Sequence, residues 1–223
     1  MENKDKLILA LDTSDLKEID SIINDVVPPL SFVKVGPVSF LPNSKELIDI
    51  VSSKNLSVMF DFKFFDIPNT IENSLKFLFD INTKIFTMHC LAGPGLIKSV
   101  LKELNNLEQQ LGKVRPDIFG VTILTSFDQK ELNSIGFNGS IADNVLKLVE
   151  NAIGVPYGDV ADVGCGNGYF GIYVAKNYNK VDHVDAIEAS EDRKEEIEKT
   201  LGRKKASVAI PVSYTHLRAH ETE

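Results

Sequence analysis

Short apolar runs alternate along this chain with longer stretches in which apolar residues recur every three or four positions. Leu7-Ile8-Leu9-Ala10-Leu11 is wholly apolar and ends in Asp12, the pattern of a strand buried on both faces. Leu16, Ile19, Ile22 and Ile23 then form a helical stripe, with Thr13 or Ser14 placed to cap it and Pro28-Pro29 to stop it. Phe32-Val33-Lys34-Val35-Gly36 reads as a second strand, with a lysine inside the apolar run. Ser44 can cap a second helix carrying Leu47, Ile48 and Val51. Ser57 to Phe62 is the third strand, and Asn69 to Asp80 the third helix, with Ile71, Leu75 and Leu78 on one face. Lys84 to His89 is the fourth strand. Gly93-Pro94-Gly95 turns the chain into a helix from Leu96 to Leu111. Asp117 to Leu124 is the fifth strand, followed by Thr125, Ser126 and Phe127.

Strands alternating with helices across short loops predict a parallel sheet with helical crossovers. Asp12, Lys34, Asp61 with Lys63, His89 and Thr125 all fall at or near the C-terminal ends of their strands. In parallel α/β folds that edge carries the chemistry. Successive strands with this feature favour a (β/α)₈ barrel or a doubly wound sheet.

Composition narrows the class without naming a reaction. With 24 Lys and Arg against 32 Asp and Glu, the formal net charge of −8 argues against a general nucleic-acid binder. No apolar run approaches a membrane span, and Met1 to Lys6 has no apolar signal core. Cys90 and Cys165 are far apart and form no metal-ligand spacing, so a reduced, cytoplasmic protein without a metal site is expected.

The richest chemistry lies between Val58 and Thr70. Residues two apart on a strand share a face, so Asp61 and Lys63 project together among apolar and aromatic neighbours, with Asp66 just beyond and Pro68 opening the next element. A buried carboxylate and ammonium are costly unless they face each other or a ligand. The pattern alone fits a structural ion pair as well as a site. His89 reads as a hydrogen-bonded structural residue, Cys90 as a packing residue, and Lys84, Lys98 and Lys102 as solvated.

Asp61-Phe62-Lys63-Phe64-Phe65-Asp66-Ile67-Pro68-Asn69-Thr70 resembles the D-x-K-x-x-D-I-P-N-T motif of orotidine 5′-phosphate decarboxylases. Leu9-Ala10-Leu11-Asp12, Val33-Lys34-Val35-Gly36, Thr87 to Gly93 (with departures) and Val121 to Ser126 resemble that family's segments in the same order, so that the likeness covers Leu7 to Val149. It implies a homodimer of (β/α)₈ barrels that converts orotidine 5′-phosphate to UMP and CO₂ without metal or organic cofactor. Lys63 would be the proton donor to pyrimidine C6. Lys34, Asp61, Lys63 and Asp66 would form an alternating charge array, with Asp66 supplied by the partner. Asp12 and Thr70 would contact ribose hydroxyls, Thr70 also from the partner, and Thr125 and Ser126 would face the pyrimidine. Loss of CO₂ leaves electron density at C6, which a fixed ammonium stabilises more in the transition state than in the ground state and can then protonate.

The later loops of that family carry a glutamine, an arginine and a closing Gly-Arg pair that hold phosphate. Arg193, Arg203 and Arg218 lack the matching neighbours, so an incomplete barrel of five strands, inactive as written, is expected over 1–152. From 153 to 205 the chain resembles a Rossmann-like piece of a class I S-adenosylmethionine-dependent methyltransferase. Gly158 to Val163 reads as a strand entering the turn with Gly164, Gly166 and Gly168, a helix follows over Tyr169 to Asn177, and Val181 to Ile187 is a strand ending in Glu188. Under that alternative Asp162, the three glycines and Glu188 would bind S-adenosylmethionine. The glycines serve a tight strand-to-helix turn equally well. The segment 206–223 reads as a tail without regular structure, Pro211 to Thr222 resembling translated library adapter. His216 and His220 are four apart but have no third metal ligand. A chimera of two gene pieces is the third reading.

Overall fold

Five short strands form one parallel sheet whose order follows the chain: β1 (Leu9–Leu11), β2 (Phe32–Val35), β3 (Ser57–Phe64), β4 (Thr83–His89) and β5 (Asp117–Val121). These belong to a computed structural model describing residues 8–26, 30–153, 158–163, 181–187 and 206–209. The chain divides into two units, Met1–Val121 and Thr122–Glu223. Between the first-unit strands run α1 (Leu16–Val26), α2 (Pro37–Ser53), α3 (Pro68–Asp80) and α4 (Gly93–Leu111). The order β1-β2-β3-β4-β5 contains no reversal. A doubly wound sheet reverses at a switch point and opens its ligand crevice there, so the unbroken order decides for the barrel type of winding.

Most residues of the predicted helical stripes are buried, with Leu16, Ile22 and Ile48 half-covered. Ile19 and Ile23 of α1, Leu47 and Val51 of α2, and Ile71, Leu75 and Leu78 of α3 are buried, as are Ile97, Val100 and Leu104 of α4. They meet the sheet face carrying Leu11, Val33, Val35, Phe60, Phe86 and Met88. Phe60 stacks on Phe62 at 4.2 Å between ring centroids and takes the edges of Phe40 on α2 and Phe77 on α3 at 5.2 and 6.0 Å. Such edge and offset contacts add to the area each ring buries.

Several boundaries differ from the periodicity. The cap of α1 is neither Thr13 nor Ser14 but Asp15, whose Oδ1 accepts from the backbone N–H of Lys17 at 2.8 Å and of Glu18 at 3.4 Å. A carboxylate at that position also suits the positive end of the helix. Helix α2 begins at Pro37, well before Ser44, and kinks at Asn43, with Pro42 inside it. Proline removes a helical hydrogen bond, and the kinked residue's Nδ2 instead donates to the Ser14 carbonyl at 2.8 Å. Strand β5 stops at Val121, short of the expected Leu124. Pro28-Pro29 lies outside the described residues.

β3 and β4 are out of step at their C-terminal ends. Phe60 pairs with Phe86, and the next pair is Phe64 with Met88. β3 therefore takes four steps where β4 takes two, which is a bulge over residues 61–63.

The second unit holds α5 (Gln129–Ser134), α6 (Ile141–Ile153) and a parallel sheet in the order β6 (Gly158–Val163), β7 (Val181–Ile187), β8 (Ala206–Ala209). Periodicity assigned neither helix, yet both starts are written locally. Asp128 and Glu131 form a capping box. The Ser140 hydroxyl accepts from the Asp143 backbone N–H at 3.1 Å, while Asp143 Oδ2 accepts from the Ser140 hydroxyl at 2.7 Å. β6 and β7 coincide with the strands expected around the glycine-rich turn. β8 stands inside the segment expected to be a tail without regular structure, so that expectation fails for 206–209. Gly164, Gly166, Gly168, Glu188, the Tyr169–Asn177 segment, His216 and His220 lie outside the described residues.

Candidate active site

The sheet face turned away from the helices gathers charge at the C-terminal ends of β1, β2 and β3. Lys34 on β2 lies between two carboxylates, with its Nζ 3.6 Å from Asp12 Oδ1 and 3.7 Å from Asp61 Oδ2. Asp61 in turn receives the ammonium of Lys63 at 2.9 Å. The result is a row Asp12–Lys34–Asp61–Lys63 in which sign alternates at every step. Each charge neighbours only opposite ones, which is how partly buried ions avoid an unpaired desolvation cost.

Burial within the row is graded. The Asp61 side chain is 15% exposed and that of Lys63 42%. Burial by itself pushes the Asp61 carboxyl up. The hydrogen bond and charge of Lys63, the hydroxyl of Thr87 and the charge of Lys34 together outweigh it and hold Asp61 below its ordinary 3.8. Asp61 is thus a fixed anion at neutral pH. Its stabilising contribution is present above 3.8 and is lost as pH falls through its lower folded value.

Lys63 reaches Asp61 by an unusual backbone. Its φ is +49°, and the other described non-glycine residues with positive φ, Asn55 and Asn82, are asparagines. Asparagine tolerates the left-handed region, whereas for lysine it costs on the order of 1–2 kcal/mol. The Lys63 amide points at Thr87 on β4 and donates to its hydroxyl at 2.8 Å, and that hydroxyl donates to Asp61 Oδ1 at 2.9 Å. Thr87 is the site residue that the sequence pattern did not single out. The signal available was its place two before His89, on the same face of β4.

The remaining expected residues lie elsewhere. Asp66 is exposed, and its Oδ1 accepts from the Ile67 backbone N–H at 2.7 Å. Thr70, in the first turn of α3, is exposed. Neither joins the row within its own chain. Thr125 and Ser126 are exposed in the loop that opens the second unit. His89 caps the short 3₁₀ turn Cys90–Ala92, Nδ1 accepting from Leu91 N–H at 3.3 Å, and burial holds its imidazole below 6.5. The Cys90 thiol is buried and pushed up to about 11, so it stays protonated. Asp162 sits on β6 opposite Ala186. Among the described residues no group of three or more His, Cys, Asp or Glu could hold a metal ion, and no helix is long and apolar enough to cross a membrane.

Parallel strands in unbroken order, with a charged row across the C-terminal ends of three of them, are the arrangement of a (β/α) barrel, the class of fold in which that edge carries the chemistry. Comparison with known proteins makes this specific. The model of the orotidine 5′-phosphate decarboxylase / HUMPS family matches residues 5–206, and the chain belongs to that family. It is 34% identical over 146 residues to the orotidine 5′-phosphate decarboxylase of Carboxydothermus hydrogenoformans, covering 66% of this chain and 60% of that one. It is 37% identical over 143 residues to that of Lawsonia intracellularis, covering 64% and 61%. The chain thus spans about three-fifths of the length of these curated relatives. Among solved structures, orotidine 5′-phosphate decarboxylase from Lactobacillus acidophilus superposes with a TM-score of 0.70 at 24% identity, over 93% of this chain and 91% of that one. The Methanocaldococcus jannaschii enzyme complexed with the inhibitor BMP gives 0.59 at 21% identity, over 91% and 87%. At such identities these likenesses speak for the fold.

The family model extends to residue 206, whereas the alignments with the two curated relatives cover 146 and 143 residues, about the length of the expected Leu7–Val149 likeness.

Proposed function

We propose that the row Asp12–Lys34–Asp61–Lys63 is the reaction centre of an orotidine 5′-phosphate decarboxylase, converting its substrate to UMP and CO₂. The observation that carries this reading is the Lys63 ammonium held 2.9 Å from Asp61, itself flanked by Lys34. As CO₂ leaves, charge accumulates at pyrimidine C6. An ammonium already fixed there stabilises that charge without reorganising and delivers the proton at short range. Asp61 keeps Lys63 charged and aimed. Asp12 and Lys34 stand at the neighbouring strand ends, suited to ribose hydroxyls, and Thr125 and Ser126 are assigned to the pyrimidine. No metal or organic cofactor takes part in this scheme.

Asp66 and Thr70 are assigned to the site of a second copy. Both are exposed, on a segment where Phe65 and Ile67 are also 61% and 65% exposed, which suits a surface covered by a partner. Sedimentation should report a dimer. Mixing Lys63→Ala with Asp66→Ala chains should restore part of the turnover that each lacks alone, and a strictly monomeric active protein would overturn this assignment.

The decisive assay follows the loss of pyrimidine absorbance when the purified chain is given orotidine 5′-phosphate. The lack of matching neighbours around Arg193, Arg203 and Arg218 weighs toward an inactive chain, while the family match through residue 206 supports turnover, weakened at substrate binding and seen as a high KM. Lys63→Ala should remove it. Absence of turnover at any substrate concentration, or turnover indifferent to Lys63→Ala, would refute the reading. Nothing in the comparisons favours the S-adenosylmethionine alternative for 153–205.

A further inference from the structure

We propose that Thr87 is a positioning residue for this reaction: its hydroxyl closes the β3 bulge and thereby aims Lys63 along Asp61. The inference deepens the decarboxylase reading, and its kinetic arm rests on that reading.

The bulge creates the problem that Thr87 solves. Over residues 61–63 the ladder to β4 is interrupted, between the pairs Phe60–Phe86 and Phe64–Met88. A backbone amide in such a stretch loses its carbonyl partner, and an unpaired buried amide is costly. The Lys63 amide finds the Thr87 hydroxyl at 2.8 Å instead. A hydroxyl has one proton to give and lone pairs to receive with. With the lone pair engaged by Lys63, the proton goes to Asp61 Oδ1 at 2.9 Å. The same oxygen of Asp61 receives the Lys63 ammonium at 2.9 Å. One side chain thus ties the backbone of Lys63 to the carboxylate that holds its ammonium. The loop of contacts returns to its starting residue, so the left-handed φ of +49° at Lys63 is held from both ends.

A second threonine on the same strand shows that this use of the hydroxyl is not incidental to β-branched packing. Thr83 and Thr87 are equally buried, 3% and 4% exposed. The Thr83 hydroxyl has no hydrogen-bond partner among the described residues. Thr83 therefore acts as a valine would, and Thr87 does not.

The test compares Thr87→Val, which keeps the shape and removes both hydrogen bonds, with Thr87→Ser, which keeps the hydroxyl, and Thr83→Val as control. The readouts are the titration of the Asp61 carboxyl by carbon NMR and hydrogen exchange of the Lys63 amide. In Thr87→Val the Asp61 midpoint should rise, because a hydrogen bond favouring its charged form is gone, and the Lys63 amide should exchange about tenfold faster or more, the equivalent of one hydrogen bond. Thr87→Ser should restore both, and Thr83→Val should move neither. An Asp61 titration unmoved by Thr87→Val, or moved equally by Thr83→Val, would overturn the proposal. If Thr87→Val does not fold, the unaltered protein decides: a Lys63 amide exchanging as fast as those of the exposed residues Phe65 and Asp66 defeats it. Where turnover is present, Thr87→Val should lower kcat about tenfold with KM nearly unchanged, the pattern for a loss confined to the transition state. A chain that never turns over substrate but shows the titration change would sink the decarboxylase reading and leave the positioning role standing.

Discussion

The two faces of the first-unit sheet are built from the same strands and obey opposite rules. On the helix side, Leu11, Val33, Val35, Phe60, Phe86 and Met88 are each 4% exposed or less, and their partners are hydrocarbon and aromatic edges. On the other side, Ala10, Lys34 and Asp61 are only partly covered, and specificity comes from short polar contacts between named atoms. The first face tolerates approximate contacts because dispersion and burial are summed over many atoms. The second cannot, because moving one donor by an ångström leaves a charge unpaired. A strand can serve both because alternate residues answer to different neighbours.

That contrast predicts separable losses. The largest effect is expected from Lys63→Ala. On the proposed function, turnover should fall by about a thousandfold or more, because proton donor and charge stabilisation are lost together. The denaturation midpoint should move little, since a pair with its lysine 42% exposed contributes at most about 1 kcal/mol. A large loss of stability here would erase the distinction between the faces. Phe60→Ala should do the reverse, costing about 3–4 kcal/mol in urea unfolding while the variant that remains folded keeps Lys63 close to Asp61. Gly120→Ala tests the packing limit at the β4–β5 seam. A Cβ there would lie 2.8 Å from Cys90 Sγ, so about 1–3 kcal/mol should be lost, and most of it recovered by adding Cys90→Ala. A Gly120→Ala chain as stable as its parent would show that the seam yields. The smallest effect is a pH dependence from His89. Burial holds the folded imidazole below 6.5, so the unfolded chain takes up protons first as pH falls through that value, and stability should decline between about pH 6.5 and the lower folded value. His89→Gln should flatten that part of the curve, and an unchanged slope would assign it to other groups.

Much of this architecture was legible from the pattern of residues. The alternation of apolar runs and amphipathic stripes locates all five first-unit strands and their helices, because buried faces must be apolar wherever the partner element lies. The period of two also puts Asp61 and Lys63 on one face. It does not reveal the bulge, since the register between β3 and β4 is a tertiary matter. It does not reveal φ at Lys63 for the same reason. The pattern does not single out Thr87, because a threonine in a strand ordinarily signals β propensity, as Thr83 does here. The early start of α2 has no apolar stripe ahead of Ser44 to signal it, and the kink at Asn43 accommodates Pro42 inside the helix. Periodicity does not show α5 and α6, although their capping pairs Asp128–Glu131 and Ser140–Asp143 are written in the sequence.

The bulge has one further consequence, and it is arithmetic. Four steps on β3 against two on β4 is a surplus of two residues, an even number. Even surpluses preserve parity. Phe60 and Phe64 therefore stay on the same side, and their rings remain 6.1 Å apart, although the strand between them has been rerouted. A surplus of one would have put Phe64 on the charged face or Lys63 into the hydrocarbon. The site can thus be read as a detour of fixed length, inserted into a strand that leaves it in the phase in which it entered. Deleting any single residue from 61–63 should shift every later residue of β3 to the wrong side and leave an insoluble chain, and recovery of a soluble folded protein from such a deletion would disprove the counting.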